Sequence, residues 1–289
     1  MTTGAGFPRT VPETTPAPEV SVSGPPAPEG GARRYWDEVA GEWAAARPHR
    51  LWREHSDRLL RDLLVRWWPE GPVARVLKTD LFDEAFGEGV GALPAQRART
   101  WVGVDVSGTV ARRAAAAHPG LRAAGADARR LPFPDGAFDL VVSPSTLDHF
   151  EAREEIAASL RELGRVLRAG GALLVTLDNP CNPVLVARRL LPFGLLRRLG
   201  LVPYRTGATL GPGALGRALE AAGFEVRQLG AVLHCPRALA VALAGLLERR
   251  GSRAAREQFL RGLASFEGLS RYPTRFLTGY YVAALAVKR

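Results

Sequence analysis

The chain is poor in lysine, cysteine and methionine. Lys78 and Lys288 are the only lysines among its 39 basic residues, so the formal charge of +10 is carried almost wholly by arginine. The arginines are spread along the sequence beside abundant alanine and glycine, and they form no block with interleaved aromatics of the kind a nucleic-acid surface presents. The charge therefore reads as a solvated basic surface, and a nucleic-acid partner is not expected. The two cysteines, Cys181 and Cys235, lack metal-ligand spacing and exclude a disulfide framework, so no metal site is expected. No run of eighteen apolar residues occurs, which excludes a transmembrane helix. No basic segment followed by an apolar one opens the sequence, so no secretory signal is read and a cytoplasmic protein is expected.

What is present suits a folded enzyme-sized domain: 289 residues, 46% of them hydrophobic. Residues 1–31 are rich in Pro, Thr, Gly and Ala with few large apolar side chains, a composition that cannot offset its ordering entropy and predicts a disordered tail. Tyr35, Trp36, Val39 and Trp43 recur at helical spacing, and Leu59, Leu60, Leu63, Leu64 and Trp67 give a second helix an apolar face. Pro69 and Gly71-Pro72 end this N-terminal helical cap of residues 32–72.

From residue 73 onward, apolar strands alternate with helices. Strands are predicted at Arg75–Leu77, Thr100–Val106, Leu121–Asp127, Phe138–Ser143, Ala172–Leu177, Phe224–Leu229 and Phe276–Lys288. Helices are predicted at Gly108–His118, at Glu151–Arg168 with a Gly170-Gly171 stop, at Pro212–Ala222 and across most of Arg237–Ala264. Such alternation predicts a doubly wound parallel sheet, whose ligands bind at the carboxyl ends of the strands. Carboxylates stand at that edge: Asp105 ends the second strand and Asp127 the third. Residues 182–210 break the rhythm. They are apolar, cut by Pro and Gly, and carry Arg188, Arg189, Arg197, Arg198 and Arg205. They suit a lid over a small acceptor, a Leu/Arg face against a membrane, or an ordinary helical insertion.

The order of Val104-Asp105-Val106, Asp127-Ala128 before Leu131-Pro132-Phe133, and Phe138-Asp139-Leu140-Val141-Val142 resembles class I S-adenosylmethionine-dependent methyltransferases. The resemblance covers residues 73–180 and extends more loosely through Gly223-Phe224-Glu225 to the C-terminus, so residues 73–289 form the methyltransferase-like domain. It implies a mostly parallel, seven-stranded Rossmann-like α/β sheet with N-terminal helices and a helical insertion. It also implies roles. Asp105 accepts from the cofactor's ribose hydroxyls, as an acceptor-only carboxylate can. Val106 packs on the adenine, Asp127 accepts from its amino group, the Ala128 N–H donates to its ring, and Ser143 lies beneath the methionine part.

One motif departs from the family. Where an acidic residue and a glycine-rich turn normally follow the first strand, this chain has Lys78-Thr79-Asp80-Leu81-Phe82-Asp83-Glu84. Gly87, Gly89 and Gly91 come several residues later, and a lone glycine string is a weak signal. Either the loop is a working variant, with Asp80 or Asp83 on the methionine ammonium and Lys78 on its carboxylate, or cofactor binding is lost and the chain is a non-catalytic binding or scaffold relative.

Asp148-His149, after the fourth strand, falls where the resemblance places the transferred methyl group. His149 suits a general base; the alternative has Asp148 capping the helix near Glu151. Asp178-Asn179-Pro180 lacks the Asn-Pro-Pro-aromatic pattern of base-modifying methyltransferases, which favours a small-molecule acceptor over a nucleic acid. His55-Ser56-Asp57 cannot form a relay, because adjacent helical residues point apart. Tyr35, Trp36 and Trp43 suit either core packing or a cover over a sulfonium. Removing residues 1–31 is expected to leave the melting temperature unchanged in differential scanning calorimetry, because the segment has no core to lose.

Overall fold

Apolar residues on both faces of most strands determine a sheet buried on both sides. In the computed structural model, residues 31–46, 50–198 and 207–289 are described; residues 1–30 of the expected tail lie outside them, as do 47–49 of the expected helical cap and 199–206 of the 182–210 segment. The chain begins with α1 (Gly31–Ala46) and α2 (Arg50–Arg66). Next come β1 (Arg75–Thr79), α3 (Phe82–Phe86), α4 (Ala92–Arg97), β2 (Thr100–Asp105), α5 (Gly108–Ala117) and β3 (Leu121–Gly125). The second half contains β4 (Phe138–Pro144), α6 (Arg153–Val166), β5 (Leu167–Asp178), α7 (Pro183–Leu190), α8 (Phe193–Arg198) and α9 (Pro212–Ala221). It closes with β6 (Phe224–Val232), α10 (Arg237–Arg250), α11 (Arg253–Ser265), α12 (Arg275–Thr278) and β7 (Tyr281–Lys288).

The sheet order is β3-β2-β1-β4-β5-β7-β6, parallel throughout except for β7, which runs antiparallel to both neighbours. The expected seven strands and mostly parallel sheet are therefore present. Successive residues serve opposite faces. Leu77, Val102, Val141 and Leu173 pack under α6 and α9 with Ile156, Leu160, Leu163 and Leu215. Val76, Trp101, Leu140 and Leu174 join Leu63, Leu64 and Val110 from α2 and α5. The strand order reverses between β1 and β4, which sets the ligand crevice at their carboxyl ends.

Several elements differ from expectation. Phe276 lies in α12, and β7 starts only at Tyr281. Gly170-Gly171 does not stop α6; that helix ends at Val166 with Leu167 already extended, and the glycines belong to a bulge between the Phe138–Leu167 and Leu140–Ala172 pairings. The bulge holds Arg168 against Asp139, Nε to Oδ1 at 2.7 Å. The other oxygen of Asp139 accepts the Ala74 and Arg75 N–H groups at 2.9 and 2.7 Å, tying the entry of β1 to β4.

Burial pushes the Asp139 carboxyl upward, but Arg168 and the two backbone donors outweigh it and hold the group below its usual range. Its contribution is thus present above the unfolded-state pKa and lost as pH falls through the lower folded value. Asp139→Ala is expected to cost about 2–3 kcal/mol in urea unfolding at neutral pH, and to lose less further stability than the wild type on acidification.

Candidate functional site

The site is organised by the loop after β1. Lys78 ends up 1% exposed and Glu84 0% exposed, with Nζ to Oε2 at 2.6 Å and Nζ to the Asp80 carbonyl at 2.5 Å. Burial opposes the Lys78 charge, but Glu84, Asp80 and Asp83 outweigh it and raise its pKa. The second Glu84 oxygen accepts the Val90 N–H at 3.0 Å. Gly89, at φ +53°, passes where any Cβ would collide with that carboxylate. The late glycine string is therefore a wrapping around the protein's own acids: Glu88 and Gly89 also donate to Asp57 Oδ2, both at 3.0 Å. Lys78 is not directed at a ligand carboxylate as the variant-loop reading expected, because its charge is already committed to Glu84. Asp83 faces Arg53 of α2 at 3.1 Å.

Asp80 sits in the left-handed region, φ 66°, and accepts the Phe82 N–H at 2.9 Å. Asp105 is buried at the end of β2, its two oxygens accepting from Leu81 N–H and Ser107 N–H, each at 2.8 Å. Gly103 leaves the room on β2 into which Leu81 packs, so the loop closes down on Asp105. Burial raises Asp80 well above the usual carboxylate range, with the Asp105 charge adding to the shift. Burial likewise pushes Asp105 up to about 6, against its two backbone donors. Ser143 is fully buried and accepts from the Thr79 hydroxyl at 2.8 Å, which also meets Thr146 at 2.8 Å.

Beyond β2, Val106 is half-buried and lines a cavity of about 270 Å³ with Gly108, Ala124, Gly125 and Arg33 of α1. Ala128 is buried nearby in sequence, and the Asp127 carboxylate is held by Arg129 at 2.5 Å. Arg129 also reaches Glu155 and lies over the Phe150 ring at 5.1 Å. Helix α1 crosses this edge: Asp37 accepts from the Ser107 hydroxyl, and Trp36 meets the His149 ring edge-on at 4.6 Å. Trp43, half-buried, packs edge-on against Phe82 at 5.0 Å, with the Arg53 guanidinium 5.4 Å from its ring centre.

On the far side of the switch point, Asp148 lies in a tight turn at Leu147–His149. It does not cap α6; Oδ2 accepts the Asp178 N–H at 2.8 Å, while Glu155 takes the Glu151 and Ala152 N–H groups, both at 3.0 Å. Asp148 Oδ1 is buried without a hydrogen-bond partner among the described residues. Burial pushes Asp148 up to about 6; burial and the Asp148 charge push Asp178 up to about 7. His55 and Asp57 diverge, His55 towards Cys235 Sγ at 3.8 Å and Asp57 towards Glu88 and Gly89, so no relay exists there. Sequence reasoning missed Glu84 and Thr79 as organising groups. The one available signal was Glu84 standing six residues after Lys78, the only lysine in the parallel strands.

Comparison with known proteins agrees with this geometry. Residues 82–175 match a family described as a methyltransferase domain. The match begins just past the variant Lys78–Leu81 stretch. A Mycolicibacterium smegmatis protein named "Probable S-adenosylmethionine-dependent methyltransferase" is 30% identical over 186 residues, covering 64% of this chain and 65% of its own length. The methyltransferase likeness thus covers residues 82–175 by the family and 186 residues by this relative. S-adenosylmethionine is the cofactor on which the named members of this family depend. A Thermus thermophilus demethylmenaquinone methyltransferase is 41% identical over 116 residues, 35% of this chain and 51% of that protein. The chain spans less than two thirds of the length of these curated relatives. The crystal structure of an S-adenosylmethionine-dependent methyltransferase from Mesorhizobium loti shares the fold, with a TM-score of 0.51 at 19% identity over 78% of this chain and 96% of that one.

The residues present fit that cofactor by charge. Lys78, the ammonium at this edge, is spent on Glu84, which leaves the half-buried Asp80 and the buried Asp105 carboxylates to favour a cationic ligand. Breaking the Lys78–Glu84 pair from one side strands a buried charge. Glu84→Ala is expected to cost about 3–5 kcal/mol in urea unfolding, whereas the double change Lys78→Met, Glu84→Leu should recover most of that loss.

Proposed function

We propose that this chain is a cytoplasmic enzyme that transfers the methyl group of S-adenosylmethionine to a small-molecule acceptor. The observation that carries the reading is the Asp80–Asp105 pair at the switch point, a half-buried and a buried carboxylate whose neighbouring lysine is already neutralised. Asp80 takes the methionine ammonium, replacing the acidic residue that the family usually carries at Lys78. Asp105 has a second lone pair on each oxygen and accepts the ribose hydroxyls. Val106 packs on the adenine above the small residues of the α5 cavity, and Asp127 and Ala128 read its amino group and ring. Ser143, held by Thr79, floors the methionine part.

The cofactor supplies an activated methyl group on a sulfonium, so the protein's contribution is orientation and a dry site. His149, at the turn after β4, receives the proton that the acceptor loses as its new bond to carbon forms. Asp148 is a positioning residue for it, anchored to the backbone of β5. Dispersed arginines and a relative named for demethylmenaquinone support a small acceptor over a nucleic acid. No helix among the described residues is long and apolar enough to cross a membrane, in keeping with a cytoplasmic location.

Isothermal titration with S-adenosylhomocysteine and with 5′-methylthioadenosine, which lacks the amino-acid end, tests the assignment. Asp105→Ala should weaken both on the order of tenfold or more, the worth of hydrogen bonds to a charged group. Asp80→Asn should weaken S-adenosylhomocysteine by a similar factor and leave methylthioadenosine unchanged. A folded wild-type protein that binds neither would make the chain a non-catalytic relative.

A further inference from the structure

Exposed large apolar side chains on this protein are concentrated rather than scattered. Apart from Val65 on α2, every one among the described residues lies between positions 184 and 277. Helix α7 exposes Val184 and Leu190, the latter at 80%, and α8 exposes Leu195. Helix α10 is inverted relative to an ordinary surface helix: Ala240 and Ala244 face the core, while Leu239, Leu243 and Leu246 face outward at spacings of four and three. A helix apolar on both sides is normally covered.

Helices α7 and α10 share one support. Leu185 of α7 packs in the same cluster as Ala240, Ala244 and Tyr280. Arg188 donates to the Tyr280 hydroxyl at 2.9 Å, and the Arg237 guanidinium lies 4.6 Å from the centre of its ring. Tyr281, the next residue, pairs with Asp178 at the end of β5. The inner sides of α7 and α10 are therefore seated beside the end of β5, on the side of the sheet edge assigned to the acceptor, and their leucines face outward from there.

Charge selects the occupant. No Asp or Glu occurs between Asp178 and Glu220, while Arg188, Arg189 and Arg198 border the exposed leucines of α7 and α8. Helix α10 ends in Arg249-Arg250. The one acid of α10, Glu248, is turned inward to accept the Leu51 N–H, so the leucines of α7 and α8 are fringed by arginine alone and those of α10 end in it, which matches the headgroup–acyl boundary of an anionic bilayer. With no helix among the described residues able to span, the contact is peripheral.

We propose that α7, α8 and α10 dock the protein on an anionic lipid surface, leucines in the boundary and arginines on the phosphates. A corollary, which rests on the methyltransferase reading, is that an apolar acceptor enters the site from the bilayer.

The test is co-sedimentation of the full chain with vesicles of phosphatidylcholine alone or mixed with equimolar phosphatidylglycerol. Binding to the mixed vesicles, weakened by added salt and on the order of tenfold weaker without phosphatidylglycerol, is expected. Leu190→Glu with Leu243→Glu should reduce it by a similar factor while leaving the melting temperature and S-adenosylhomocysteine affinity unchanged. No binding to mixed vesicles, or binding indifferent to the two substitutions, would overturn the proposal. So would a dimer seen in sedimentation equilibrium without lipid and dissolved by the same substitutions, which would assign the face to a second copy. Vesicle binding without any affinity for S-adenosylhomocysteine would uphold the docking surface and remove the methyltransferase reading alone.

Discussion

The buried Lys78–Glu84 ion pair governs the ligand edge of this protein. A lysine at the carboxyl end of a central strand, with almost no exposure, is tolerable only if a carboxylate and further acceptors meet it. Glu84 and the Asp80 carbonyl do so, and this fixes the path of the chain from β1 into α3. The same carboxylate orders the turn at Gly89 and Val90, and that turn in turn donates to Asp57 of α2. One internal pair thus connects the sheet, the first crossover and the N-terminal cap.

The pair also determines what charge the crevice has left. A glycine-rich loop leaves backbone N–H groups open towards a ligand; here the N–H groups of Glu88, Gly89 and Val90 are consumed by Asp57 and Glu84. What stands at the strand ends is a shift from open backbone donors to the side-chain carboxylates of Asp80 and Asp105. That shift is consistent with a ligand whose amino-acid end bears an ammonium, and it explains how the family fold persists where its glycine turn does not.

Most of the sheet was legible because its strands are short apolar runs bounded by Pro, Gly and Asp, and because the helices between them are long enough to be parallel crossovers. Legibility failed where tertiary pairing overrode local signals. Gly170-Gly171 looks like a helix stop, yet Arg168 pairs with Asp139 across the sheet and draws the glycines into a bulge. Phe276 looks like strand, but its carbonyl accepts from Asn179 and it remains in α12. At the site, Asp105 and Ser143 could be placed from the strand ends alone. Lys78 could not, because nothing in its local sequence says whether its ammonium turns outward to a ligand or back to Glu84.

Helix α1 adds a constraint that no single motif conveys. It joins the two halves of the crevice, through Asp37 on Ser107 after β2 and Trp36 on His149 after β4. Ser107 is itself the cap of α5, its hydroxyl accepting the Val110 N–H at 3.1 Å, so α1 is seated on the element that borders the α5 cavity. Asp37 is held below the usual carboxylate range: burial opposes its charge, and Ser107 and Thr109 outweigh it. The contact is therefore made by the ionised form, and it is polar and partly exposed rather than a packed core. Val39 and Ala40 of the same helix are buried, and Ala40 packs in the cluster of Leu63, Leu64 and Val110, so α1 is held by apolar packing as well as by its polar contacts. One helix outside the sheet therefore forms part of the crevice wall on both sides of the switch point, by Asp37 at the end of β2 and by Trp36 at the end of β4.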